Sequence, residues 1–362
     1  MHAVAFPTVV WSDDVLRHEP GAEIWVGVST PGTEVPERAR VLLDAVTAAG
    51  ATVVPAQAYD DAPLHAVHDR ALVNHLKAIA EQWSQGPYEE LVGQDRVVPY
   101  VFPTAGMLDG LPAHEPAATH ARAGLYCYDT MTLVGPGTWQ AARAAVDVSL
   151  TAADLVADGA ASSYALVRPP GHHATRRAFG GSCYLNNAAV AAQRLRDRGA
   201  GRVAIIDVDA HHGNGTQAIF YDRADVFYGS LHVDPGAGWF PHFIGFADEQ
   251  GRDAGAGSTL NVPLAPGTGD EVWLAALDLL LARLATFAAD ALVVSLGVDA
   301  AGVDPESPLE VSTEGFRGAG ERLAALGWPT VLVHEGGYEL TRLGVDTVAL
   351  LSAFGVAPAG AG

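Results

Sequence analysis

Short apolar runs, bounded by Gly, Pro, Asp or His, recur along this 362-residue chain from residue 164 onward: Tyr164 to Val167, Val203 to Ile206, Val226 to Tyr228, Leu292 to Leu296 and Thr330 to Val333. Runs of this length with such ends read as buried strands. Between them lie helical patterns with recognisable ends. One opens at Pro36 and closes at Gly50, Asn186 to Arg198 stops at Gly199, Asp270 to Ala289 is amphipathic, and Thr313 to Leu326 stops at Gly327. Strands alternating with helices predict an α/β fold with a parallel sheet covered on both faces. No repeat, linker tract or charge block divides the chain, so residues 1–362 are expected to form a single domain. Residues 84–126 and 232–259 break the alternation. They are rich in Gly, Pro and aromatics, and long irregular loops in compact domains usually serve function, so both are expected to wall an active site.

Composition narrows the partners. With 49% hydrophobic residues, 40 Gly and 22 Pro, the chain suits a globular protein with a large core and many loops. A formal charge of -21 argues against nucleic acid or an anionic membrane as partner and would draw in a cationic ligand. Cys127 and Cys183 are too few for a disulfide framework, and the first residues lack a basic, then apolar, leader pattern. The expected compartment is the cytoplasm, and no apolar run reaches the ~18 residues of a spanning helix.

The strand-like runs end in chemistry. RPPGHH (168–173), DVDAHHGNGTQ (207–217), GVDAAGVDP (297–305) and HEGGY (334–338) each follow one of them. In parallel α/β sheets ligands bind at the carboxyl ends of strands, so four such tips can converge on one site. Asp207, Asp209 and His211 are spaced two apart and leave one face of an extended backbone. Of these, Asp209 and His211 form a D-x-H pair, and adding Asp299 to that pair gives one His and two carboxylates, which leaves a fourth position open as catalytic zinc sites do. His172 and His173 follow a Pro-Pro-Gly turn and diverge, so each needs its own partner; Asp207 and Asn214 are expected to orient one imidazole each. Gly336 and Gly337 would present the phenol of Tyr338 at a strand end, where it can donate to a developing oxyanion or simply pack in the core.

Taken in order, the blocks RPPGHHA, GGSCYLNNAAVAA, DVDAHHGNGTQ, FYGSLH, SLGVD and EGGY resemble the histone-deacetylase superfamily, and within it the bacterial acetylpolyamine amidohydrolases. They span residues 168–338, PGTWQAA at 136–142 extends the similarity, and the first 80 residues carry little of it. The resemblance implies a three-layer arginase/deacetylase fold, with a central, mainly parallel sheet of about eight strands between helices. It implies one zinc ion, or iron(II) in its place, on Asp209, His211 and Asp299, and a structural potassium ion held by Asp207 and Ser230 with nearby backbone oxygens. His173 would be general base and acid, His172 with Asp207 its electrostatic partner, and Tyr338 would polarise the acetyl carbonyl. The reaction implied is hydrolysis of an N-acetylated amine to acetate and free amine.

The arginase branch of the fold uses two metals and further carboxylates, where this chain has Gly213 and Ala301, so one metal is expected. An inactive metal-binding scaffold would have lost Tyr338 or a histidine; none is lost. Substrate choice is the looser reading. The acetylpolyamine pattern puts carboxylates at the mouth, at positions that fall on His120 and Met131 here. Ser182, after Gly181, replaces an aromatic frequent in that block, and Phe240 is expected on the tunnel wall. Asp129 resembles a rim aspartate that holds substrate, and Glu115 is a second candidate anchor. A protein acetyl-lysine deacetylase and a tailoring deacetylase of a small metabolite are the alternative activities. Dimers built on long loops such as 84–126 are implied by the acetylpolyamine relatives.

Overall fold

The computed structural model describes residues 6–85 and 96–355, so residues 86–95 of the first long loop lie outside the described part. Among the described residues ten strands follow one another: β1 (Thr8–Trp11), β2 (Ala22–Trp25), β3 (Val28–Pro31), β4 (Val53–Pro55), β5 (Ser162–Ala165), β6 (Val203–Asp207), β7 (Val226–Val233), β8 (Thr259–Leu264), β9 (Ala291–Leu296) and β10 (Thr330–His334). Eight form one sheet in the order β4-β1-β5-β10-β9-β6-β7-β8, and every neighbouring pair in it is parallel. The α/β architecture with helices on both faces is the one expected.

β6, β9 and β10 are buried at every position, and mostly apolar, because both faces are covered. In β9, Ala291 and Val293 join the core on one side, with the helices Thr138–Ala157 and Asn187–Asp197, while Leu292, Val294 and Leu296 join the other, with Asp270–Phe287 and Thr313–Ala324. β6 divides in the same way, Val203 and Ile205 on one side and Ala204 and Ile206 on the other.

This topology positions the site. The four strands whose ends carry polar motifs, β5, β10, β9 and β6, are consecutive in the sheet, so their carboxyl ends lie side by side. The remaining pair, β2 and β3, is a separate antiparallel hairpin turning at Val26–Gly27, both at positive φ. It is tied to the body where Ile24 N–H donates to Thr130 O (3.2 Å) and Thr130 Oγ1 donates back to Ile24 O (2.7 Å).

Candidate active site

A pocket of about 480 Å³ opens over the four strand ends, and His173, His211 and Tyr338 are in its lining. At its base Asp209, His211 and Asp299 bring one ligand atom each within 4.8 Å of one another. Backbone donors fix both carboxylates: Ala210 N–H reaches Asp299 Oδ1 (2.8 Å), while His211 N–H (2.9 Å) and Gly336 N–H (2.8 Å) reach the two oxygens of Asp209. His211 Nδ1 lies 3.0 Å from Asp299 Oδ2, and its Nε2–H donates to Glu306 O (3.0 Å), which fixes the tautomer with Nδ1 facing the carboxylates. Burial and the Asp209 charge push the Asp299 carboxyl up to about 7. Two buried carboxylates and an imidazole lone pair on one point are what a divalent cation requires, so these residues fit a metal.

The tandem histidines stand beside this cluster, ring centroids 4.0 Å apart, with opposite electrostatics. His172 Nδ1 pairs with Asp207 Oδ2 (3.1 Å). Burial alone would lower its pKa, but the Asp209 and Asp207 carboxylates outweigh it and hold the imidazole up at about 10. His173 donates from Nδ1 to the neutral Asn214 Oδ1 (2.7 Å); burial, then the charges of His172 and His211, keep it well below the usual histidine value. One ring is therefore a cation and its neighbour a neutral base, the separation that acid–base chemistry needs. Tyr338 keeps its proton, because burial raises the phenol more than the nearby Arg38 lowers it.

Three residues around these groups carry no signal that periodicity could supply. Glu335 accepts Gly171 N–H (2.7 Å), His172 N–H (3.1 Å) and Ser295 Oγ (3.2 Å), so it braces the histidine turn against the sheet. Arg38 lies with its guanidinium 4.5 Å from the Tyr338 ring centroid and donates to Gly337 O (2.6 Å) and Glu335 O (2.7 Å). Asp304 accepts Tyr338 N–H (2.6 Å). Glu335 and Asp304 sit inside the quoted motifs and were legible as polar residues at a strand tip, without a role.

The walls differ from expectation. Met131, Gly181, Ser182 and Phe240 do line the pocket, Phe240 edge-on to His173 at 4.7 Å between centroids. Gly181 has φ +57, and a Cβ there would stand 2.4 Å from His173 Cδ2, so the backbone itself passes the base. His120 is not in this lining. It sits on the helix Thr119–Tyr126 and stacks on Tyr100, because that helix is drawn along Arg70–Ser84 by the Arg122–Gln82 hydrogen bond and the Tyr126–His75 ring contact. Glu115 goes with it, into a separate groove beside His75, Arg122 and Tyr126. Among the described residues of the first long loop, none of 96–126 lines the pocket, and residues 86–95 lie outside the described part. Asp129 is corrected in role. Its Oδ1 accepts Met131 N–H (3.0 Å) and Thr132 N–H (2.8 Å), and its Oδ2 accepts Gly181 N–H (2.6 Å) and Thr132 Oγ1 (3.2 Å), so the carboxylate is consumed in joining two wall segments.

The acid at the mouth comes from elsewhere. Glu23 of the β2–β3 hairpin and Glu306, seven residues past Asp299, both line the pocket, with Trp25 and Trp239 in the same lining. Burial first, then the Glu306 charge, push Glu23 up to about 7. For potassium, Asp207 and Ser230 are register partners on β6 and β7 and fully buried, which suits two oxygen donors to one ion.

Comparison with known proteins agrees with this geometry. Residues 32–354 match the histone deacetylase domain. The chain is similar to the acetylpolyamine amidohydrolase of Mycoplana ramosa, 41% identical over 345 residues, covering 95% of this chain and 98% of the relative. Acetylpolyamine amidohydrolase 1 of Pseudomonas aeruginosa is 41% identical over 347 residues, with 95% and 98% covered. The crystal structure of acetylpolyamine aminohydrolase from Burkholderia pseudomallei superimposes with a TM-score of 0.89 at 39% identity, over 96% of this chain and 98% of that one.

Proposed function

The chain belongs to the histone deacetylase domain family, and from that premise we propose that it hydrolyses the acetamide of N-acetylated amines, acetylpolyamine-like small molecules foremost, to acetate and free amine. The observation that carries the substrate reading is the pairing of Glu23 and Glu306 in the lining of a pocket that also holds His173 and Tyr338. Carboxylates there favour a chain that bears a second, cationic nitrogen, and the protein's charge of -21 attracts such a chain from a distance.

The enzyme is metal-dependent, and Asp209, His211 and Asp299 would hold one divalent ion, zinc or iron(II). When bound, that ion supplies Lewis acidity to the acetyl carbonyl and to the attacking water. The chain's own groups supply the rest. Neutral His173, its Nδ1–H fixed on Asn214, has Nε2 free to take a proton from water and return it to the departing amine. Charged His172, held on Asp207, and the protonated Tyr338 phenol offer positive charge and a donor where negative charge gathers on the carbonyl oxygen. Phe240 and the Gly181 backbone close in on the base, which keeps it dry and neutral.

We also assign residues 1–362 to one catalytic domain, potassium to Asp207 and Ser230, and the protein to the cytoplasm as a homodimer. Both cysteines are free and buried, and no helix among the described residues is long and apolar enough to cross a membrane. The exposed Tyr100, Met107 and Leu111 of the first long loop support self-association, which light scattering would test. The activity is tested by offering zinc- and iron-loaded protein acetylputrescine, acetylcadaverine, acetylspermidine, an acetyl-lysine peptide and an aryl acetamide side by side. The acetylated di- and polyamines should be preferred; a higher specificity constant for the peptide would overturn the substrate reading.

A further inference from the structure

The loop after β9 leaves the metal-ligand position Asp299 and reaches Asp304, a buried carboxylate with 7% of its surface exposed. Both of its oxygens accept from backbone N–H groups around the pocket. Oδ2 accepts from Tyr338 (2.6 Å) and Glu339 (3.1 Å), and Oδ1 accepts from Glu306 (3.0 Å). One side chain thus joins the segment that carries the phenol to the segment that carries an acid of the mouth.

Tyr338 needs such a joint. It follows Gly336 and Gly337, the second at φ +125, so its own chain does little to restrict where the ring points. Arg38 bears on the ring face and on Gly337 O, which leaves rotation about the next peptide to be stopped from the other side. The Asp304 bond to Tyr338 N–H is placed to do that.

We propose that Asp304 is a positioning residue that sets the Tyr338 phenol for the reaction and holds Glu306 in register with it. This rests on the amidohydrolase reading above. An aspartate is needed because three donors meet two acceptor oxygens. Asparagine, whichever way it turns, points an NH₂ group at an N–H.

The test is a double-mutant cycle on the metal-loaded protein: wild type, Asp304→Asn, Tyr338→Phe and the double variant, with kcat read on a saturating neutral aryl acetamide so that Glu306 drops out. Asp304→Asn should lower kcat about tenfold or more with metal content unchanged, as expected for one charge-assisted hydrogen bond. In the Tyr338→Phe background the same change should cost no more than about twofold, because the phenol it positions is gone. A full additional loss there would overturn the proposal. If the asparagine variant folds poorly, Asp304→Ala, whose gap water can enter, supplies the same cycle. Affinity for an acetyl-mimicking hydroxamate, measured in the same proteins, reads the cycle without turnover. A wild type that cleaves no acetamide would sink the function instead, and the hydroxamate cycle would still decide the role of Asp304. On a cationic acetylated diamine, Asp304→Asn should also raise KM, and an unchanged KM would remove Glu306 from the claim.

Discussion

Replacing Asp129 by Asn separates a rim anchor from a wall brace. The carboxylate accepts three backbone N–H groups and one hydroxyl, on two segments that reach the pocket at Met131 and Gly181. Asparagine turned to keep Met131 and Thr132 on its oxygen must point its NH₂ at Gly181 N–H, where the wild-type contact is 2.6 Å. One charge-assisted bond is lost, worth about 1.5–3 kcal/mol, and a half-buried donor on the pocket wall is left unpaired at a cost of about 1 kcal/mol. Partial relaxation should leave a destabilisation of about 2–4 kcal/mol. It would be read as a lower urea midpoint at unchanged slope. Because Gly181 backs onto His173, catalysis should weaken as well, and by a common factor. The specificity constants for acetylputrescine and for an aryl acetamide, measured on the variant and wild type, should fall together. A stable variant that discriminates against the charged substrate alone would refute the reasoning and restore Asp129 as a substrate anchor.

Tyr338→Phe should keep fold and metal but lose roughly 10²–10³ in kcat, the cost of one oxyanion donor; near wild-type turnover would make Tyr338 a packing residue. Glu23, held up to about 7, is neutral below that pH and charged above it, so KM for a cationic acetylated amine should fall as pH rises from 6 to 8. The trend should vanish in Glu23→Gln, be absent for a neutral acetamide and shrink with salt; persistence in Glu23→Gln would assign it to another group. Chelation should abolish activity and one equivalent of zinc, cobalt or iron(II) should restore it, with two ions per site by metal analysis counting against the assignment. Gly336→Ala should lose metal much as Asp299→Ala does, since a Cβ there would stand 2.4 Å from Asp299 Oδ2 and 2.6 Å from Asp209 Oδ2.

The floor of the candidate site was legible because strand tips carry short, polar, locally spaced motifs, and β5, β10, β9 and β6 lie next to one another in the sheet. The helix Thr138–Ala157 went unread because 13 of its residues are buried and its polar stripe is thin, carried by Gln140, Arg143, Asp147, Thr151 and Asp154 at helical spacing within an Ala- and Val-rich run. β1 and β4 are only 4 and 3 residues long, too brief for a pattern. The mouth was misread for a different reason. Counting back from Arg168 gave His120 and Met131, and resemblance gave Asp129, with Glu115 a second candidate; of these only Met131 lines the pocket, and the acids in that lining arrive from a hairpin near residue 23 and from the turn at 306. Distances along the chain hold no information about which loops meet over a sheet. Glu306 had the better signal, as the next acid after Asp304 in a loop that begins at a metal-ligand position.

The β2–β3 hairpin shares no strand with the eight-stranded sheet, yet it brings Glu23 and Trp25 to the pocket. Its sequence is therefore free of the constraints that tie the strand tips to metal, base and phenol. Exchanging it for another two-stranded turn would alter which amine is welcomed while leaving the bond-breaking apparatus intact. A library confined to residues 22–31 is the economical place to look for new specificities.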